Sequence, residues 1–285
     1  MFKFFANIFG YVLNFIYAIV NNYGIAIILF TILLKLIMLP ISIKQQKTMK
    51  KSAKIQGQVK EIQEKYKNDP TRMNQEVMDL YKKENMSPFS GCLSSILQII
   101  LVISMFYLVS SPLTYMKHVD SELINQYSQE LQETEGNTNY KEIGIIRTKA
   151  EEDERVNINM NFLGLNLSSV PSQNYTDWKV FIIPVLYVAT SFISTRITAN
   201  MNKSKKKEEK INVTEDTKDL VKKQEDDNID MMEEMNKNMM IMMPLMTVSI
   251  ALIAPLGLAL YWLINNIFML GERVIINKVC KTEEV

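Results

Sequence analysis

Histidine and cysteine are nearly missing from this sequence: its 285 residues hold one His and two Cys. His118 cannot by itself build a histidine-based metal site, and a Ser/His or Cys/His catalytic pair would have to use that one residue. Cys92 and Cys280 offer at most one disulfide, and the topology developed below argues against even that. An excess of either charge is also missing, with 32 basic against 31 acidic side chains, so the overall balance gives no reason to expect nucleic acid or an acidic substrate. What is present is segregation. The apolar share, 47%, is that of an ordinary globular protein, yet it is gathered into charge-poor blocks at 23–43, 91–111, 178–195 and 238–271, with charge crowded between them. That pattern predicts a polytopic, all-α membrane protein.

About 20 helical residues cross roughly 30 Å of hydrocarbon. Residues 23–43 and 91–111 satisfy this as first and second spans, and 178–199 as a third that opens on the interfacial Trp178 and ends near Arg196. Residues 238–271 are 34 positions without a charge. As one helix they would reach about 50 Å, too long for one crossing. Pro255 and Gly257 interrupt them, so they read as two short spans, 238–254 and 255–271, each about 24 Å long, around which the bilayer should thin. Loop charge sets the orientation. Residues 44–88 carry eleven basic and six acidic side chains, whereas 112–177 carry five basic and eleven acidic. Five spans put 44–88, the basic-edged loop 200–237 and the tail 272–285 in the cytoplasm, and 112–177 outside. The N-terminus then lies outside, in a multi-pass protein of the plasma membrane.

Residues 1–22 carry Lys3, Asn7, Asn14 and Asn21 along one helical face, which predicts an amphipathic interfacial helix; a signal peptide is the rival reading. Residues 44–88 predict a cytoplasmic hairpin of two helices. Met49, Ala53, Val59, Ile62 and Tyr66 form an apolar seam on the first, and Met73, Val77, Leu80 and Tyr81 continue it on the second. Asp69 can cap that second helix and Pro70 can open it. The hairpin's basic outer face, with Lys54, Lys60 and Arg72, could meet anionic headgroups, ribosomal RNA or a nascent chain. The loop 200–237 has no apolar periodicity and reads as disordered in its middle. In the outer loop, Asn161 to Leu167 forms a short apolar patch beside the membrane.

One charge falls inside a predicted span. Lys35 costs roughly 2.5–3.5 kcal/mol at mid-depth and must be compensated. Two readings stay open on position alone: the amine snorkels to the cytoplasmic headgroups, or it faces a wet cavity between helices that draws in acidic or polar segments of a substrate. Thr31, Gln98, Ser191, Ser194, Asn265 and Asn266 also lie in spans. Each could make an interhelical hydrogen bond, and together they would line a water-filled recess. Met239, Met240, Met242, Met243 and Met246 crowd the fourth span, as lipid-facing packing or as an adaptable contact surface.

Several motifs in order carry a resemblance. They are Tyr23-Gly24-Ile25 through Lys35 and Leu39-Pro40; Lys67-Asn68-Asp69-Pro70 with Met73-Asn74-Gln75-Glu76; Gly91-Cys92-Leu93 with Gln98; Phe162-Leu163-Gly164-Leu165; and Pro255-Leu256-Gly257 through Tyr261-Trp262 with Asn266. The chain resembles the YidC/Oxa1/Alb3 membrane protein insertases over residues 1 to about 278. The resemblance implies five membrane helices around a hydrophilic groove open to cytoplasm and lipid but closed outside, plus the cytoplasmic hairpin. It implies an insertase or chaperone without covalent catalysis, catalytic residue, metal or small-molecule cofactor. Its partners would be nascent single- or double-spanning proteins, the ribosome, membrane lipids and, in some insertions, the Sec translocon. Lys35 falls where bacterial members usually place a groove arginine; it keeps the charge and loses the bidentate fork. Gln98 and Trp262 match groove positions, and Tyr261 stands in the motif beside them. The short form without a large domain between the first spans resembles Gram-positive members, although the lipoprotein-type signal of many of them is not seen. Two other classes fit less well: a small transporter or channel should show a repeat and paired broken helices, and an intramembrane enzyme should show an acid pair within the spans.

Overall fold

The computed structural model describes residues 1–85, 90–135, 140–211 and 248–282. Helix α1 (Phe2–Val20) turns into α2 (Tyr23–Lys65) through two asparagines. Asn21 adopts the left-handed conformation, φ 46°, that ends α1, as Asn does with least strain among residues bearing a side chain. Asn22 caps α2 by accepting from the Ile25 N–H at 3.1 Å. The buried positions of α1, Ala6, Gly10, Leu13 and Tyr17, recur at helical spacing and face the core, while Phe4, Ile8, Tyr11, Phe15 and Ile19 form an exposed apolar stripe opposite.

Helix α2 is a single helix of 43 residues with Pro40 inside it, so the expected first span and the first arm of the hairpin are continuous. Composition changes near residue 44, but Lys, Gln and Glu are good helix formers and give the backbone no reason to stop. Helix α3 (Pro70–Lys83) begins as expected: the Asp69 carboxylate accepts from the Arg72 N–H at 3.0 Å and Pro70 occupies the first turn. The seam is also found, with Val59 buried and Ile62, Tyr66, Met73, Val77, Leu80 and Tyr81 partly so. Ile55, which the expected seam omitted, is buried within it. The side chains of Met49 and Ala53 lie outside the described residues.

Helix α4 (Ser90–Ser110) covers the residues expected as the second span. The segment 112–177, expected outside the membrane and named the outer segment for that reason, departs from the expectation of a polar loop with one apolar patch. It contains α5 (Pro112–Tyr115), α6 (Ser121–Glu135), α7 (Lys141–Lys149) and a hairpin of β1 (Asn161–Phe162) and β2 (Leu165–Asn166). Leu113, Met116, Ile143, Ile145, Ile146, Val156, Ile158 and Leu167 form its buried interior, continuous with the core of the helices. These helices are short and mix few apolar residues among many charges, so their periodicity does not rise above the polar background. The β-turn places Leu163 and Gly164 at φ 48° and 79°, the two positive values of the tight hairpin turn.

A 3-10 turn (Trp178–Phe181) leads into α8 (Ile182–Ile211), which continues past the expected end of the third span. Residues 248–253 are helical, Ala254 and Pro255 break the helix, and α9 (Leu256–Thr282) follows. The break thus falls at Pro255, while Gly257 belongs to the first turn of α9 rather than to the interruption. The remainder of the predicted fourth span, with Met239, Met240, Met242, Met243 and Met246, and most of the loop 200–237 lie outside the described residues. Among the described residues, Phe2–Val20, Tyr23–Gln45 and Trp178–Ile197 are long and apolar enough to cross a membrane; Ile99–Ser110 and Leu256–Glu272 are shorter apolar stretches.

Candidate functional site

The first turn of a helix presents backbone N–H groups that need acceptors. At the start of α9 the Leu256 N–H donates to the Ser169 carbonyl and the Gly257 N–H to that of Leu167, both at 2.9 Å, while the Ser172 N–H donates to the Leu252 carbonyl just before the break. The outer segment therefore holds the turn between the last two predicted spans by its backbone. It holds the α1–α2 turn in the same way. The Tyr23 N–H donates to the Asn159 carbonyl at 3.0 Å, Asn22 Nδ2 donates to the Asn161 carbonyl, and the Asn159 N–H donates to the Tyr17 hydroxyl. Two glycines allow the close approach: a β-carbon at Gly10 would overlap the Tyr115 carbonyl, and one at Gly24 would run into the Phe162 ring.

Beneath this cap, burial falls away along the helices. On one face of α2 the order is Tyr23 and Ile27, both fully buried, then Thr31 at 2% exposure, then the Lys35 side chain at 20%. Along α9, Leu256, Leu258, Ala259, Leu260, Tyr261 and Leu263 are buried, whereas no described residue from 264 to 272 is. On α4, which runs toward the cap, the buried residues among those with described side chains are Ser104, Met105, Leu108 and Val109, all near its cap end. Among the described residues most of the packed core thus belongs to the capped end, and the opposite end is looser and more polar, apart from the buried Ser194 on α8 and Ile55 and Val59 in the hairpin seam.

The described candidate residues fall into two contacts, one between α2 and α9 and one between α8 and α9, while Tyr261 is buried. Lys35 Nζ lies 3.8 Å from Glu272 Oε2. The lysine expected as a lone charge has a carboxylate beside it, at a position the sequence reading assigned to the tail, one residue past the uncharged block. Helix α9 does not stop at 271, and so it carries Glu272 alongside α2. Lys35 is twelve residues into α2, roughly 18 Å, and Glu272 sixteen past the start of α9, roughly 24 Å. Both therefore sit well below the cap.

Trp262 and Asn266, one turn apart on α9, meet Tyr187 and Ser191, one turn apart on α8. The Trp262 and Tyr187 rings are 5.7 Å apart, and Asn266 Nδ2 donates to Ser191 Oγ at 2.6 Å. For Asn266 and Ser191 the interhelical hydrogen bond is therefore realised. The Thr31 hydroxyl donates to the Ile27 carbonyl within its own helix at 2.7 Å. Gln98 lies on α4 but its side chain, like those of Lys54 and Lys60 on α2, is outside the described residues. On the hairpin Arg72 packs its guanidinium over the Tyr66 ring at 5.1 Å, and the Tyr66 hydroxyl donates to Glu76, tying α3 to α2. Among the described residues no group of three His, Cys, Asp or Glu side chains is placed to hold a metal ion.

Residues 15–283 match the family model described as 60Kd inner membrane protein. The chain belongs to that family. It is the family, also known as YidC/Oxa1, to which the motifs point. The membrane protein insertase YidC of Treponema denticola is 26% identical over 274 residues, covering 95% of this chain and 37% of that protein. That of Chlorobaculum parvum is 28% identical over 273 residues, 96% of this chain and 36% of the relative. A third, from Francisella tularensis subsp. novicida, is 41% identical over 109 residues, 38% of this chain and 20% of its own length. The chain thus spans little more than a third of the length of the two relatives it matches throughout.

Proposed function

We propose that this chain is a membrane protein insertase. It takes nascent single- or double-spanning proteins from the ribosome, alone or with the Sec translocon, and passes them through a hydrophilic groove into the plasma membrane. The observation that carries this reading is the gradient of burial from the capped end to Lys35. A bundle sealed at one end and loose at the other suits a groove closed outside and open to the cytoplasm. Five crossings, an interfacial α1 and a cytoplasmic α2–α3 hairpin complete the arrangement. The stacking of Tyr11 on His118, with ring centroids 4.2 Å apart, supports α1 lying beside the outer segment.

The mechanism needs no covalent chemistry. A client segment is caught near the hairpin and enters between α2 and α9, where water and the Lys35 amine lower the cost of its polar portion. Desolvating a charge into hydrocarbon is what makes uncatalysed insertion slow. The short apolar stretch of α9 thins the adjacent bilayer and shortens the remaining path. The apolar part of the client then partitions sideways into lipid, gaining roughly 25 cal/mol per Å² of apolar surface removed from water. Lys35→Arg should support insertion in reconstituted liposomes. Lys35→Glu should impair most strongly the clients with acidic outer tails, because it sets two acids side by side. Normal insertion of those clients by Lys35→Glu would defeat the reading.

A further inference from the structure

Glu272 stands beside an amine that is costly to hold among membrane helices. Hydrogen bonds between ammonium and carboxylate span about 2.7–3.2 Å, and the 3.8 Å separation from Lys35 lies outside that range. The two groups attract each other without being locked in contact. Both side chains are partly exposed, at 20% and 16%, so water or another carboxylate can reach the space between them. At rest the pair is neutral, which removes much of the cost of holding either charge among membrane helices. A client carboxylate entering between α2 and α9 would meet an amine already attended by an acid of the same chemistry.

We infer that Glu272 is a resident competitor that sets client specificity: it stands in for a substrate carboxylate on Lys35 and is displaced by sufficiently acidic segments. The inference rests on the insertase reading and deepens it. Displacement is an exchange of one carboxylate for another on the same amine, with no net change of charge on the protein. Glu272 can yield because it lies at the loosely packed end, where a turn of its side chain returns the carboxylate to water. A segment with a single acidic group gains little from such an exchange, whereas one with several acids gains from their summed field.

The test uses the full chain in liposomes and a single-spanning client whose outer tail carries no aspartate, one or several. Glu272→Gln removes the competitor and should raise the insertion of the one-aspartate client relative to the neutral one by about two- to fivefold, the range expected of a partly exposed ion pair. The double exchange, Lys35→Glu with Glu272→Lys, should shift preference toward tails carrying lysine. A purely structural ion pair predicts otherwise: Glu272→Gln would lower insertion of all clients in the same proportion and lower the melting temperature. An unchanged acidic-to-neutral ratio in Glu272→Gln, with wild-type insertion intact, overturns the inference and leaves the insertase reading standing. Absence of insertion by the wild type overturns both.

Discussion

The two ends of one helix bundle are built on opposite rules. At the capped end, backbone N–H groups of α9 find carbonyls in the outer segment, Gly10 and Gly24 admit close neighbours, and Tyr23, Phe30, Leu108 and Leu256 are almost wholly buried. At the other end the same helices carry Lys35, Asn266 and Glu272, and residues 264–272 of α9 are at least partly exposed. The packed core and the candidate site therefore lie in different halves of the described bundle. A substitution can disturb one without the other, which gives the comparison its experimental handle.

The largest contrast should come from truncating leucines at equal chemistry and different burial. Leu113 is fully buried in the outer segment, whereas Leu36 is 63% exposed on α2. Leu113→Ala should cost about 2–5 kcal/mol. Leu36→Ala, having little packing to lose, should stay within about 0.5 kcal/mol. Thermal unfolding of the full chain in micelles measures both, and equal losses would mean that the cap does not hold the bundle.

The parts of this division that were readable in the sequence are those with a strong local cause. Asp69-Pro70 marks a helix start by capping and by a fixed φ, Pro255 breaks an apolar run, and Lys35 stands out because a charge in a span is expensive. The cap was not legible in the same way. Its stability comes from contacts between residues far apart in sequence, such as Tyr23 with Asn159 and Gly257 with Leu167, whereas in the sequence Asn21 reads as part of a polar stripe and Asn161 as the edge of an apolar patch. Glu272 is hidden for a different reason. An uncharged run ends at residue 271, but Glu and Arg are good helix formers and α9 runs through them.

The outer half also contains a buried acid, and it sharpens the comparison through pH. The Glu142 carboxylate accepts from the Thr114 N–H and hydroxyl at 2.9 and 2.6 Å. Burial nevertheless pushes its pKa above the ordinary 4.5, outweighing the hydrogen bonds to Thr114 and Leu113 that favour the anion. A carboxyl whose folded pKa exceeds its unfolded value binds protons more tightly in the folded state. Its stabilising contribution is complete below the unfolded value and is lost as pH rises through the folded one. The melting temperature of the capped half should therefore rise as pH is lowered from neutral toward 4.5. Glu142→Gln should flatten that slope, and the same slope in the variant would show that another group governs it. The Lys35–Glu272 end should not share this response if the two halves are independent.

The smallest effect tests that independence from the opposite side. Asp69 holds the first turn of α3 through the Arg72 N–H, at the far end of the long α2 from the cap. Asp69→Ala removes one capping acceptor and should cost about 1 kcal/mol, which speeds hydrogen exchange at the first turn of α3 by about fivefold. Exchange at Leu256 and Gly257, whose N–H groups are held by Ser169 and Leu167, should not change. Those two amides report the cap directly because their partners belong to the outer segment. If they also exchange faster in Asp69→Ala, the 43-residue α2 transmits strain from hairpin to cap, and the two ends of the bundle are not independent.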